Sequence, residues 1–261
     1  MNNEIILFDS HLHLNHEDFK NREAEVWMEA YRSGVKEGVV IGVDLPSSRT
    51  AVEWTEKLPG LYASVGISPH DVMKTPDHYI DELRRLAEGD RVVAIGECGL
   101  EYHYPVGPKE KQIEYFLHQI DLAREMEKIL IIHLREADDD FLRILDKNPP
   151  ASAIIHCFTA SQTIMEAAVE FGYYISFSGI ATFKNAKDLQ KIVPQVPDEN
   201  LLIETDAPYL APVPYRGKIC EPKMIINAAQ KIAELRNVDI ESIAQLTRKN
   251  ARRAFKLDEK N

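Results

Sequence analysis

Cysteine is scarce in this sequence. The chain has three, Cys98, Cys157 and Cys220, an odd number at wide spacing. That excludes a disulfide framework and makes a reducing cytoplasm the expected home. Positive charge is also short, with 31 lysines and arginines against 42 aspartates and glutamates and a formal net charge of -11. A broad basic surface for gripping nucleic acid is excluded, because such binding rests on many cationic contacts to phosphate. A small positive site inside an acidic shell remains open, since bound divalent metals add local charge that the count ignores. No run reaches the roughly 18 apolar residues that a membrane span needs. No basic start with a short apolar run and a small-residue cleavage site marks a signal peptide. A cytoplasmic protein with no membrane contact is expected. The sequence has no Gly-x-Gly-x-x-Gly after its first apolar run, which counts against a dinucleotide fold. It has no internal repeat and no low-complexity linker, so one domain over residues 1–261 is expected.

What is present is an alternation. Short apolar runs over 5–8, 38–42, 61–66, 92–96, 129–133, 152–156, 173–177 and 201–205 read as strands. Most are continuous rather than alternating, as in strands covered by helices. Amphipathic segments over 23–33, 47–58, 78–88, 109–126, 136–146, 161–170 and 185–193 read as helices between them, and 222–235 and 240–254 follow. Ser161 and Asp239 stand where N-caps belong, and Pro222 fits a first helical position. Eight strands alternating with helices over this length predict a (β/α)8 TIM barrel with an additional C-terminal helix. The alternative is a doubly wound open sheet. Ala251, Ala254 and Phe255 share one apolar side of the last helix, which is expected to pack on the barrel. Nothing signals oligomerisation, and a monomer is the expectation.

Barrel active sites lie at the carboxyl ends of the strands, and here those ends carry the chemistry. The first run ends in Asp9, Ser10, His11, Leu12 and His13. Two residues apart on an extended backbone, His11 and His13 point the same way and can share one metal ion. Later strand ends bring Ser68, His70 and Asp71, then Glu97, then His133 and Arg135, then His156, then Glu204, Thr205 and Asp206. A lone histidine after an apolar run is often a satisfied core residue; four histidines and two carboxylates at independent strand ends are not.

Six ligands exceed one tetrahedral zinc but suit two ions sharing a carboxylate. His11, His13 and Asp206 form one half, and His133 and His156 form the other. Glu97 is the bridge, because its two oxygens can serve two ions. Mixed nitrogen and oxygen ligands fit Zn2+, Mn2+, Fe2+ or Ni2+ more naturally than Mg2+, although Mg2+ can still support activity. Such a pair performs hydrolysis, with Asp206 as the candidate general base. Cys98 and Cys157 follow ligands directly and so point away along a strand. Both read as core packing.

These residues resemble the TatD-type metal-dependent deoxyribonucleases within the amidohydrolase-like barrels. The matching pieces are Asp-Ser-His-Leu-His-Leu from Asp9, Val-Gly-Ile-Ser-Pro-His-Asp from Val65 and Ala-Ile-Gly-Glu-Cys-Gly-Leu from Ala94. Further pieces are His-Leu-Arg-Glu-Ala from His133, His-Cys-Phe-Thr from His156, Ile-Ser-Phe-Ser-Gly from Ile175, Leu-Ile-Glu-Thr-Asp-Ala-Pro-Tyr-Leu from Leu202 and Arg-Gly-Lys from Arg216. They occur in family order across nearly the whole chain. The resemblance implies a (β/α)8 barrel with the same two-metal division over His11, His13, Asp206, His133, His156 and Glu97. It also implies a Mg2+- or Mn2+-dependent 3′-to-5′ exonuclease on DNA, with zinc also seen as a bound metal. Four positions depart from the pattern. Ser68 replaces a histidine, Glu101 an aspartate, Ala160 a glycine and Cys220 an asparagine, the last in a loop expected to border the mouth.

Arg135 follows His133 by two and is expected to face the same side, as a phosphate contact or as an ion-pair partner of Glu101. His70 is a further substrate candidate that can compensate for Ser68. Arg216 and Lys218 sit in the last mouth loop, where they can meet a DNA backbone. Tyr102, His103 and Tyr104 form an aromatic run that either stacks on a terminal base or packs the mouth. An acidic chain with few basic mouth residues is expected to engage single-stranded or frayed DNA ends rather than long duplexes. The competing readings are a two-metal hydrolase of a small ester, amide or phosphate, a D-aminoacyl-tRNA deacylase, and a non-catalytic metal-binding protein. A base deaminase is disfavoured, because it uses one metal and a separate glutamate.

Overall fold

The computed structural model describes residues 5–258; the outermost positions of the expected domain, 1–4 and 259–261, lie outside them. Eight strands form one parallel sheet in sequence order: β1 (Leu7–Leu12), β2 (Val35–Ile41), β3 (Leu61–Val65), β4 (Val92–Glu101), β5 (Ile129–Arg135), β6 (Ala153–Ile155), β7 (Tyr174–Phe177) and β8 (Leu201–Ile203). The sheet closes just beyond β8, where the Asp206 N–H donates to the His11 carbonyl (2.9 Å) and the His13 N–H donates to the Ala207 carbonyl (2.7 Å). Helices α1 (Glu23–Arg32), α2 (Leu45–Lys57), α3 (Tyr79–Ala87), α4 (Lys109–Glu125), α5 (Asp138–Lys147), α6 (Gln162–Glu170) and α7 (Lys187–Ile192) alternate with the strands. After β8 come α8 (Ile225–Arg236) and the additional α9 (Ile240–Ala254). This is the TIM barrel that the alternation predicted.

Local chemistry explains the helix starts. Asp44 caps α2 by accepting from the Ser47 N–H (2.7 Å), and Ser47 Oγ accepts in return from the Asp44 N–H (3.0 Å). The helix therefore begins two residues before the expected start, with Pro46 in its first turn, where a missing N–H costs nothing. Ser161 caps α6 and Asp239 caps α9, each through its side-chain oxygen.

Three strands run past the carboxyl ends of their apolar stretches. β1 continues through Asp9, Ser10 and His11 and β4 past Glu97 to Glu101, all buried, and β5 continues past His133 to Arg135. Polar residues there are held by hydrogen bonds across the barrel mouth, so hydrophobicity does not mark the strand end. β4 slips register between Ile95 and Cys98. Gly96 sits there at φ +118°, where a Cβ would fall 2.4 Å from the Ile131 carbonyl oxygen. Only glycine lets the two strands come this close.

The barrel interior is filled by Phe8, Val39, Ile41, Ile131, Ile154 and Leu202. Ala251, Ala254, Phe255 and Leu257 join this cluster from α9 and the turn after it. The Phe255 ring stacks on Phe8 at 5.7 Å. Arg248 Nε donates to Glu37 Oε2 (2.8 Å), and Arg252 pairs with the other oxygen of the same carboxylate. The last helix thus stops the amino-terminal end of the barrel and leaves the carboxyl end for chemistry.

Candidate metal centre

The six expected ligands converge at that carboxyl end. His11 is supplied by β1 and His13 by the residue after it; Glu97 comes from β4 and His133 from β5. His156 directly follows β6, and Asp206 follows β8 in a left-handed backbone conformation (φ 57°). All are buried except His133, which is half-buried.

Glu97 divides the cluster. Its Oε2 lies 3.4 Å from His11 Nε2 and 3.8 Å from His13 Nε2. Its Oε1 lies 3.0 Å from His133 Nδ1 and 3.5 Å from His156 Nε2. Asp206 Oδ1 completes the first half at 3.3 Å from His13 Nε2 and 3.6 Å from His11 Nε2.

The donor set fits two cations. Within each half, ring nitrogens face each other: His11 Nε2 and His13 Nε2 at 3.2 Å, His133 Nδ1 and His156 Nε2 at 3.3 Å. At that distance a pair of ring nitrogens shares either a proton or a cation. Metal bonds of about 2.0–2.2 Å place tetrahedral ligand atoms about 3.3–3.6 Å apart, close to the spacing found here.

The electrostatics agree. Burial works against charge on His156, yet Glu97 and Glu204 push its pKa well above the ordinary value. Burial likewise opposes charge on His13 and His133, and it is overcome by Asp206 and Glu97 for the first and by Glu101 and Glu97 for the second. Glu97 is held well below the usual carboxylate range despite its burial, because His156, His11 and His133 surround it. Burial pushes His11 down to about 3, with the neighbouring His156 adding to the effect. A pocket that draws protons onto three of its four imidazoles is a pocket that draws in cations.

Three carboxylates outside the six ligands hold this arrangement. Asp9 is fully buried and accepts from the Thr205 N–H (2.9 Å), the Thr205 hydroxyl (2.5 Å) and the His11 N–H (3.3 Å). It ties β1 to the end of β8 between two ligands. Glu204 Oε1 accepts from the Cys157 N–H (2.7 Å) and faces His156 Nδ1 at 3.3 Å. Glu101 Oε2 faces His133 Nε2 at 3.1 Å. All three stand in the Asp-Ser-His-Leu-His, Leu-Ile-Glu-Thr-Asp and Gly-Leu-Glu runs, but their partners lie across the barrel.

The substrate candidates spread around the mouth. Exposed His70 has its Nε2 3.6 Å from Glu101 Oε2. Arg135 lays its guanidinium over the Tyr104 ring, 5.0 Å from the centroid. His103 Nδ1 meets Glu136 Oε1 at 2.6 Å. Tyr102 takes the packing role of its two alternatives, because its hydroxyl donates to Asp140 Oδ2 (2.7 Å) and Lys109 covers its ring at 3.9 Å. Exposed Arg216 sits over Phe183 at 4.1 Å, and exposed Lys218 lies 6.0 Å from the Tyr215 ring. Buried Ser68 uses its hydroxyl to accept from the His70 N–H (3.4 Å), so it shapes the loop that carries His70. Cys220, expected at the mouth border, is instead buried in the core, where it acts by packing. Cys98 packs in the core as read. Cys157, expected to pack in the core, is instead half-buried in a left-handed turn after β6, with its thiol 3.3 Å from Ser178 Oγ, and burial pushes its pKa well above the ordinary value.

Comparison with known proteins agrees with this geometry. Residues 8–256 match the family described as TatD related DNase. A metal-dependent hydrolase of Bacillus subtilis, YabD, is 39% identical over 255 residues, covering 97% of this chain and 100% of that protein. The 3′-5′ ssDNA/RNA exonuclease TatD of Salmonella typhimurium is 32% identical over 258 residues, covering 96% of this chain and 99% of its own. The crystal structure of the Escherichia coli TatD homologue YjjV superposes with a TM-score of 0.91 at 26% identity, covering 96% of this chain and 98% of that one. With its ligand cluster in place and its whole barrel aligned, the chain belongs to the TatD family of metal-dependent hydrolases.

Proposed function

We propose that this hydrolase is a 3′-to-5′ exonuclease acting on single-stranded or frayed DNA ends, built as one catalytic domain and working as a cytoplasmic monomer. The observation that carries the reading is Glu97, whose two oxygens face two separate histidine sets. The Salmonella relative, named a 3′-5′ ssDNA/RNA exonuclease, supports a nucleic-acid end as substrate. No helix among the described residues is long and apolar enough to cross a membrane.

When bound, a pair of divalent ions supplies a nucleophilic water near neutral pH and offsets charge on the phosphate. Asp206, with Oδ1 aimed into the cluster, accepts the proton of the attacking water. Glu97 holds the two halves at a fixed separation. Arg135 and His70 face the phosphodiester from the mouth, and Arg216 and Lys218 meet the following backbone. With cations so few around the opening, grip is confined to a few nucleotides at an end.

The test is release of mononucleotides from 3′- and 5′-labelled single-stranded DNA by metal-stripped protein with Mg2+, Mn2+ or Zn2+ restored. Stepwise loss from the 3′ end, absent without metal and in Asp206→Ala, is the expected result. Equal rates on circular and linear single strands would contradict end recognition. No release from protein shown to hold two ions would transfer the site to a small ester, amide or phosphate.

A further inference from the structure

Glu101 stands outside the six ligands, yet it is 1% exposed and fully engaged. Its Oε1 accepts from the backbone N–H groups of His103 (2.7 Å) and Tyr104 (3.0 Å). Its Oε2 faces His133 Nε2 at 3.1 Å and His70 Nε2 at 3.6 Å. His133 meanwhile turns Nδ1 toward Glu97 and His156.

A neutral imidazole carries one proton, on one nitrogen or the other. An anchored carboxylate beside Nε2 keeps the proton there, which leaves the Nδ1 lone pair aimed into the cluster. We infer that Glu101 is a positioning residue: it fixes His133 as an Nδ1 ligand of the second ion and raises that nitrogen's basicity. The inference rests on the two-metal reading of the site and adds the residue that sets one ligand's tautomer. Glu204 stands in the same relation to His156, across its Nδ1. The first half of the cluster is built differently, since buried His11 Nδ1 has no hydrogen-bond partner among the described residues. Carboxylates therefore face the outer ring nitrogens of both His133 and His156, while none faces His11 Nδ1 among the described residues.

His70, Glu101 and His133 are also close enough to hold a cation of their own. His133 would then have to give up its remaining proton and ligate through both nitrogens. The positioning role leaves His133 in its ordinary neutral form, and the two N–H donors that anchor Oε1 serve that role directly.

Metal-stripped protein titrated with Zn2+ or Mn2+, with bound metal counted after dialysis, tests this without reference to activity. The wild-type chain is expected to take two ions. Glu101→Gln is expected to weaken one binding step about 10–100-fold and leave the other in place. Glu101→Asp should recover most of the loss, and His70→Ala should change neither step. The histidine 15N spectrum of the zinc-loaded wild-type protein reads the tautomer without any variant: His133 protonated on Nε2 supports the inference. Two unchanged steps in Glu101→Gln, His133 protonated on Nδ1, or a third ion lost with His70→Ala would each overturn it. Fewer than two ions in the wild-type protein would sink the two-metal reading instead, and the His133 tautomer would still decide the role of Glu101.

Discussion

Replacing Glu97 by glutamine keeps the side chain's size and removes its charge and one of its two acceptors. The native oxygens serve opposite halves, Oε2 toward His11 and His13, Oε1 toward His133 and His156. An amide nitrogen cannot ligate a cation, so whichever half receives it loses a ligand outright. The other half keeps an oxygen but loses the negative charge. A unit charge about 4 Å from another, at an effective dielectric of about 20, is worth about 4 kcal/mol. That corresponds to about three decades of affinity for at least one ion. Glu97→Gln should therefore hold one ion under conditions where the wild-type chain holds two, and single-turnover hydrolysis should fall by about a thousandfold or more. Metal counting by mass spectrometry and single-turnover release of labelled mononucleotide, run on the same preparation, measure both. A variant that keeps two ions and more than about a tenth of the rate would refute the bridging argument, since a tenfold loss corresponds to about 1.4 kcal/mol.

Three further outcomes follow from the structure. Because His13, His133 and His156 are pushed toward their protonated forms, metal binding should release protons and tighten as pH rises; calorimetry in buffers of different ionisation enthalpy checks this, and proton uptake would contradict it. Glu37→Gln, which breaks the pairing of Arg248 and Arg252 at the closed end of the barrel, should cost about 2 kcal/mol and lower Tm by about 4–8 °C with no change in metal count. Arg135→Ala should raise KM for DNA roughly 10–100-fold with both ions retained, the loss of one charge-assisted contact to phosphate; an unchanged KM would return Arg135 to packing on Tyr104.

The barrel and its ligands were legible for one reason: parallel strands covered on both faces are written as continuous apolar runs, and the residues that break each run stand at its carboxyl end. His11 and His13, Glu97, His133, His156 and Asp206 could all be read this way. What lies beyond those breaks could not. β1 and β4 extend through polar residues because Asp9 and Glu101 find donors on other elements, and no local pattern encodes a partner 196 or 32 residues away. Tyr102 was ambiguous because an aromatic ring after a strand can face either way. Its direction is set by Asp140, 38 residues on. Cys220 reads as a loop residue by its neighbours and is a core residue by its contacts.

Phe255 and Leu257, packed beneath Phe8, finish a barrel whose interior is already filled by side chains, so it is a plug and not a pore. No polymer can be threaded through it. On the exonuclease reading, a strand end would arrive at, and its cleaved product would leave from, the same face.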